Sequence, residues 1–232
     1  EDGIETIHLG AIGVEWREVL GEHGRALRYL TQAAGGRQLA PLRSTVVWLA
    51  GATDHGRPIG VAGHRTLLLT VAQRDGHLQH RELALVWVLR EQLLQSMPAR
   101  VPLWARESLA QYYAIKALRR SKLPQDVIAA AEKRLFDPAH PPVAGLREMQ
   151  RRVLAGDAAA RADLHSVGAA FWDRIDRAIV RKSGFRTLDS MLPRLLAADW
   201  PDDSLPAPVL DRLYHYAGES AVNELRALYV GD

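Results

Sequence analysis

Apolar residues change their spacing once along this chain. In the first third they come in short β-branched runs broken by glycine, and from residue 80 onward they recur every three or four positions. "IETIHLGAI", residues 4–12, has strand composition. From Trp16 the apolar positions Trp16, Val19, Leu20, Leu27 and Leu30 follow helical spacing until Gly35 and Gly36 stop it. "STVVWLA" at 44–50 and "RTLLLTVA" at 65–72 are bounded by turn formers and predict two further strands. The stretch between them, "GATDHGRPIGVAGH", holds four glycines and a proline, so it predicts an exposed loop or an irregular edge hairpin. Strand signals stop after residue 76.

The second pattern begins with a helix from His80 to Gln95. It is apolar almost all round from Leu83 to Leu89, which predicts burial on most sides. Pro98 and Pro102 bracket a short connection to a helix over 103–120, whose basic end suits the negative pole of the helix dipole. Further helices are expected at 124–136, 142–155 and 158–183, the last carrying Leu164, Phe171, Trp172, Ile175 and Ile179 on one stripe. The stretches 187–200, 206–218 and 219–230 complete a helical remainder, and no internal repeat is present. The expected fold class is α+β: a small mixed-sheet lobe over 1–76 and a helical lobe over 77–232, together one compact domain.

Composition narrows the function classes without choosing one. At 232 residues, 47% hydrophobic and 25% charged, the chain reads as globular and is long enough to bury a sizeable core. Thirty basic against 27 acidic residues leave a net charge of +3, and no basic run is interleaved with aromatics, which argues against nucleic acid as a partner. No apolar stretch approaches the roughly 20 residues that span a bilayer. The opening at Glu1 without a methionine fits either a removed export signal or trimming. With no cysteine, disulfides and thiolate-held metals are excluded. There is no Gly-x-Ser-x-Gly elbow, and "GRPIGVAG" at 56–63 lacks the lysine of a phosphate-binding loop and precedes a strand.

Two helical stretches carry the candidate chemistry. A zinc peptidase helix sets two histidines one turn apart around a single ion, with a glutamate after the first that activates the metal-bound water. "HRELALVWVLREQ", residues 80–92, keeps that glutamate as Glu82 but has Arg81 and Leu85 where the histidines belong. The next helix reads "WARESLAQYY". Trp104, Glu107, Leu109, Ala110, Tyr112 and Tyr113 match a Trp-x-x-Glu-Gly-x-Ala-x-Tyr-Tyr pattern in which only the glycine is replaced, by Ser108. The chain thus resembles the gluzincin metallopeptidases, specifically the alanyl- and glycyl-aminopeptidase-like families. Their core is a strand, a helix, further strands, a buried zinc helix and a helical lobe. Residues 165–196 resemble the downstream segment of these families, with Gly168 and Thr187-Leu188-Asp189 in place and His165 where the oxyanion-stabilising tyrosine usually stands.

The resemblance implies a thermolysin-like core, a cleft between two lobes, and Glu107 as the third zinc ligand. The departures fall on the chemistry, because Arg81 is a permanent cation, Leu85 has no lone pair, and Glu82 is left without an activated water. The reading is a pseudopeptidase with no catalytic residue, no metal and no cofactor. Its former site is Arg81, Glu82, Leu85, Glu107 and His165, and Trp104, Ser108 and Tyr112 line the groove. Arg81 is expected to point into the former zinc cavity and pair with Glu107, with Leu85 filling the second ligand's space. Such a protein would bind a peptide or a partner protein by strand addition along residues 60–72. Two alternatives from another class stay open: a zinc hydrolase using His77, His80 and Glu107, or a metal-free acid/base pair of Glu82 and His165. A third is a structural module of an envelope assembly. The family likeness implies a periplasmic or secreted location, and the oligomeric state stays open.

Overall fold

In the computed structural model, residues 6–9, 14–36, 45–51, 59–64, 66–74, 77–136 and 142–231 are described. The chain divides into two compact units, the first comprising Glu1–Gln32, Leu39–Ser96 and Tyr113–Ala131, the second Ala33–Gln38, Met97–Tyr112 and Glu132–Asp232.

The first unit is built on a mixed sheet. It runs β1 (Thr6–Leu9), α1 (Val14–Ala33), β2 (Thr45–Gly51), β3 (Ile59–Gly63), β4 (Thr66–Arg74), β5 (His77–Leu78) and α2 (Arg81–Ser96). Strands β1, β2 and β4 are parallel, with Thr6 opposite Val46 and Thr45 opposite Thr66. A parallel pair needs a crossover, and α1 supplies it between β1 and β2. β3 returns antiparallel along β4, Val61 opposite Leu68, so the order is β1-β2-β4-β3 and β3 is an edge strand. The glycine-rich stretch therefore does form an edge hairpin; its part at 52–58 lies outside the described residues. One expectation is corrected: strand structure continues past residue 76, because His77 and Leu78 fold back on Arg74 and Gln73 as β5.

Alternation along β4 decides which face is the core. Leu67, Leu69 and Val71 are buried, whereas Leu68 between them is 41% exposed. The buried face joins Val46 and Trp48 of β2 to Trp16 and Val19 of α1 and Ala84 and Val88 of α2. Trp16 and Trp48 meet edge to face, with ring centroids 5.8 Å apart at 76°. β3 passes under α2 at Gly60, where any Cβ would overlap the ring of Trp87.

The remaining helices are α3 (Leu103–Leu118), α4 (Gln125–Leu135), α5 (Leu146–Leu154), α6 (Ala158–Ser183), α7 (Leu192–Ala197), α8 (Ala207–Ala217) and α9 (Glu219–Tyr229). In the second unit α6 is the central element and packs against α5, α8 and α9. Its start is fixed by Asp157, whose carboxylate accepts from the backbone N–H of Ala159 and Ala160 at 3.0 and 3.1 Å. An aromatic core gathers on it: Trp104 stacks on Trp172 at 6.3 Å and 7°, Trp200 meets Trp104 edge-on at 5.7 Å, and Phe171 lies 4.7 Å from Trp172. The architecture is α+β, as the residue pattern predicts. Among the described residues no helix is long and apolar enough to cross a membrane.

Candidate functional site

One group of candidate residues lies in the first unit, at the start of α2. His80 takes a left-handed conformation at φ 52° and its carbonyl accepts from the N–H of Leu83 and Ala84, which sets where the helix begins. Arg81 follows, and its Nη1 donates to Glu18 of α1 at 2.9 Å. This corrects the expected pairing with Glu107: a guanidinium on the first residue of the helix, only a quarter exposed, finds its carboxylate within its own unit. Glu82 is buried, with His80 Nδ1 at 3.6 Å, within ion-pair range but beyond a good hydrogen bond. Leu85 is buried.

Glu15, one turn before Glu18 on α1, completes this polar edge. Its carboxylate accepts from the Leu78 N–H at 2.6 Å and from His77 Nδ1 at 3.0 Å. The Leu78 hydrogen bond is the main cause holding its pKa below the usual carboxylate value, opposed by burial and helped by His77. Glu15 and Glu18 thus bind the segment that carries His77 and Arg81. Neither glutamate is among the residues singled out from sequence. Their spacing of three on α1 puts both on one face, but the partners lie more than 60 residues away.

The other group lies in the second unit, on α3 and α6. Glu107 is buried, and His165 Nε2 donates to its carboxylate at 2.7 Å, with Arg161 at 4.0 Å on the solvent side. The two positions taken from the family pattern are therefore hydrogen-bonded to each other across 58 residues of sequence. A carboxylate and an imidazole so placed can hold and pass a proton. The neighbouring positions have internal partners. Trp104 donates its backbone N–H to Gln150 Oε1 and its indole N–H to the Asp203 carbonyl, each at 2.8 Å. Ser108 accepts from Trp172 Nε1 at 2.8 Å and donates to the Ala105 carbonyl at 3.2 Å. Tyr112 donates to Asp176, whose second oxygen accepts from the Leu188 N–H at 2.6 Å and so anchors the Thr187-Leu188-Asp189 turn to α6.

At Ser108 the two helices come as close as backbones allow. A Cβ at Gly168 would collide with the Ser108 Cβ and stand 3.0 Å from its Cα. Gly168 and the small side chain of Ser108 thus have a packing reason.

Arg81 is a cation held by Glu18, Leu85 has no donor atom, and Glu107 is engaged by His165 and Arg161. His77 and His80, the alternative ligands, engage Glu15 and Glu82 respectively. Among the described residues no group of three His, Asp or Glu side chains is arranged to hold a metal ion. No protein-family model matches the chain, and no curated protein matches it.

Proposed function

We propose that the chain is a catalytically silent relative of the gluzincin peptidases, thermolysin-like in its core, that binds a peptide or partner protein by strand addition to β3. The observation that carries this reading is the outer position of β3 in the sheet. An edge strand offers backbone donors and acceptors to an incoming extended segment. Val61 is 66% exposed, and Ala62 and Gly63 are exposed beside it. Gln95 of α2 already donates to the Gly63 carbonyl at 2.9 Å, which leaves Ile59 to Ala62 as the docking stretch. Silence in catalysis follows from Arg81 and Leu85 at the ligand positions, since Glu82 then has no metal-bound water to deprotonate. A periplasmic or secreted location belongs to the same proposal and rests on the family resemblance alone.

Two measurements test it together. Metal analysis of the purified protein is expected to find no stoichiometric zinc, with no turnover of aminoacyl substrates. Hydrogen exchange at Ile59–Ala62 is expected to slow when extended apolar peptides are added, and peptides N-methylated at alternate positions should lose the effect. Stoichiometric zinc with aminopeptidase turnover overturns the proposal.

An active hydrolase is the second reading, and the Glu107–His165 hydrogen bond favours it. In that case Glu107→Gln and His165→Ala would each abolish a measurable turnover.

A further inference from the structure

A groove of about 500 Å³ lies within the second unit between α6 and α9. Its walls differ in chemistry. α6 contributes Arg174, Arg177 and Arg181, whose spacing of three and four places them on one stripe of the helix. α9 contributes Leu225 and Leu228, and Leu228 is 45% exposed in spite of being apolar. Two carboxylates, Asp173 and Glu224, face the three guanidiniums, so positive charge is in excess.

The arginines are not equivalent. Arg174 lies over the Tyr229 ring at 5.8 Å and is part of the packing. Arg177 meets the buried Asp173 through Nε at 2.7 Å, which leaves the terminal nitrogens of a 64% exposed side chain to the groove. Arg181 stands exposed one turn further on. Two planar guanidinium forks beside an apolar wall match a ligand with an acidic head and a hydrophobic body. The volume is in the roughly 300–1,000 Å³ range of small-molecule sites.

We propose that this groove binds an amphiphilic organic anion of small-molecule size, its head on Arg177 and Arg181 and its body on Leu225 and Leu228. The proposal is independent of the peptide-binding reading of β3, which involves other residues.

Amide chemical-shift titration of the full chain with decanoate, below its micelle concentration, tests the assignment. Saturable shifts confined to α6 at 173–181 and α9 at 221–228 are expected. Decyltrimethylammonium, with the same tail and opposite charge, and acetate, with no tail, should leave those signals in place. Arg181→Gln should weaken decanoate binding about fivefold, the worth of an exposed ion pair near 1 kcal/mol. Leu228→Glu should abolish it. Both positions are exposed, so an unchanged melting temperature is expected and separates lost binding from lost structure. Absent shifts, equal binding of the cationic homologue, or an unaffected Arg181→Gln variant overturns the proposal. So does an acidic amphipathic peptide that displaces decanoate and binds more tightly, which would give the groove to a protein partner.

Discussion

His23 of α1 makes the stability of the first unit depend on pH. It is 2% exposed, its Nε2–H donates to Gln92 Oε1 at 2.7 Å, and its ring stands edge-on to Trp48 at 5.9 Å. Burial pushes its pKa below the ordinary histidine value, and the Gln92 hydrogen bond offsets only part of that. In the unfolded chain the imidazole titrates near about 6.5, so on acidification the unfolded state takes the proton first. The stability that His23 protects is complete above that value and is lost as pH falls from it toward the lowered folded-state pKa. The melting temperature should therefore drop between about pH 7 and pH 5, and His23→Gln, which keeps a donor toward Gln92, should flatten that drop. A pH series of thermal melts on both proteins checks it. An equal drop in the variant would assign the effect to other groups.

At the level of elements, the crossing of α3 and α6 makes the sharpest demand on sequence. Gly168→Ala forces the two backbones apart at Ser108, and overpacking of this kind costs about 1–3 kcal/mol. Adding Ser108→Gly removes the obstructing Cβ and should recover part of the loss. Recovery is incomplete because Trp172 Nε1 then loses its acceptor, worth about 1 kcal/mol. Denaturant melts of the two single variants and the double variant measure this coupling. Elements of this length were legible in the residue pattern. The helix expected at His80–Gln95 is Arg81–Ser96, and that expected at 158–183 is Ala158–Ser183, with a glycine stop after it. β5 was not legible, because two residues carry no periodicity and its pairing depends on a turn back along β4.

For the whole molecule, the order of elements was readable and the partners of the site were not. The all-round apolar run from Leu83 to Leu89 predicts the burial of Leu85, whereas local spacing leaves Glu107, which is buried, free to be a surface charge. Spacing does not report which charge meets which. Charge balance between two buried carboxylates pairs Arg81 with Glu107, whereas it is held by Glu18, a residue of the polar face of α1 with no motif around it. His165 was placed by its match to a tyrosine position, and only three-dimensional packing brings it to Glu107. The six tryptophans divide evenly, Trp16, Trp48 and Trp87 in the first unit and Trp104, Trp172 and Trp200 in the second. Each unit has its own close indole contacts, the edge-on pair Trp16–Trp48 in one, and in the other Trp104 with Trp172 stacked on it and Trp200 edge-on to it. Indole transitions at these separations couple, so each set contributes its own circular-dichroism signal. Replacing Trp48 or Trp104, the indole common to both contacts of the second unit, with phenylalanine should delete one unit's signal and leave the other's, and heating the two variants would then show whether the units melt together or in succession.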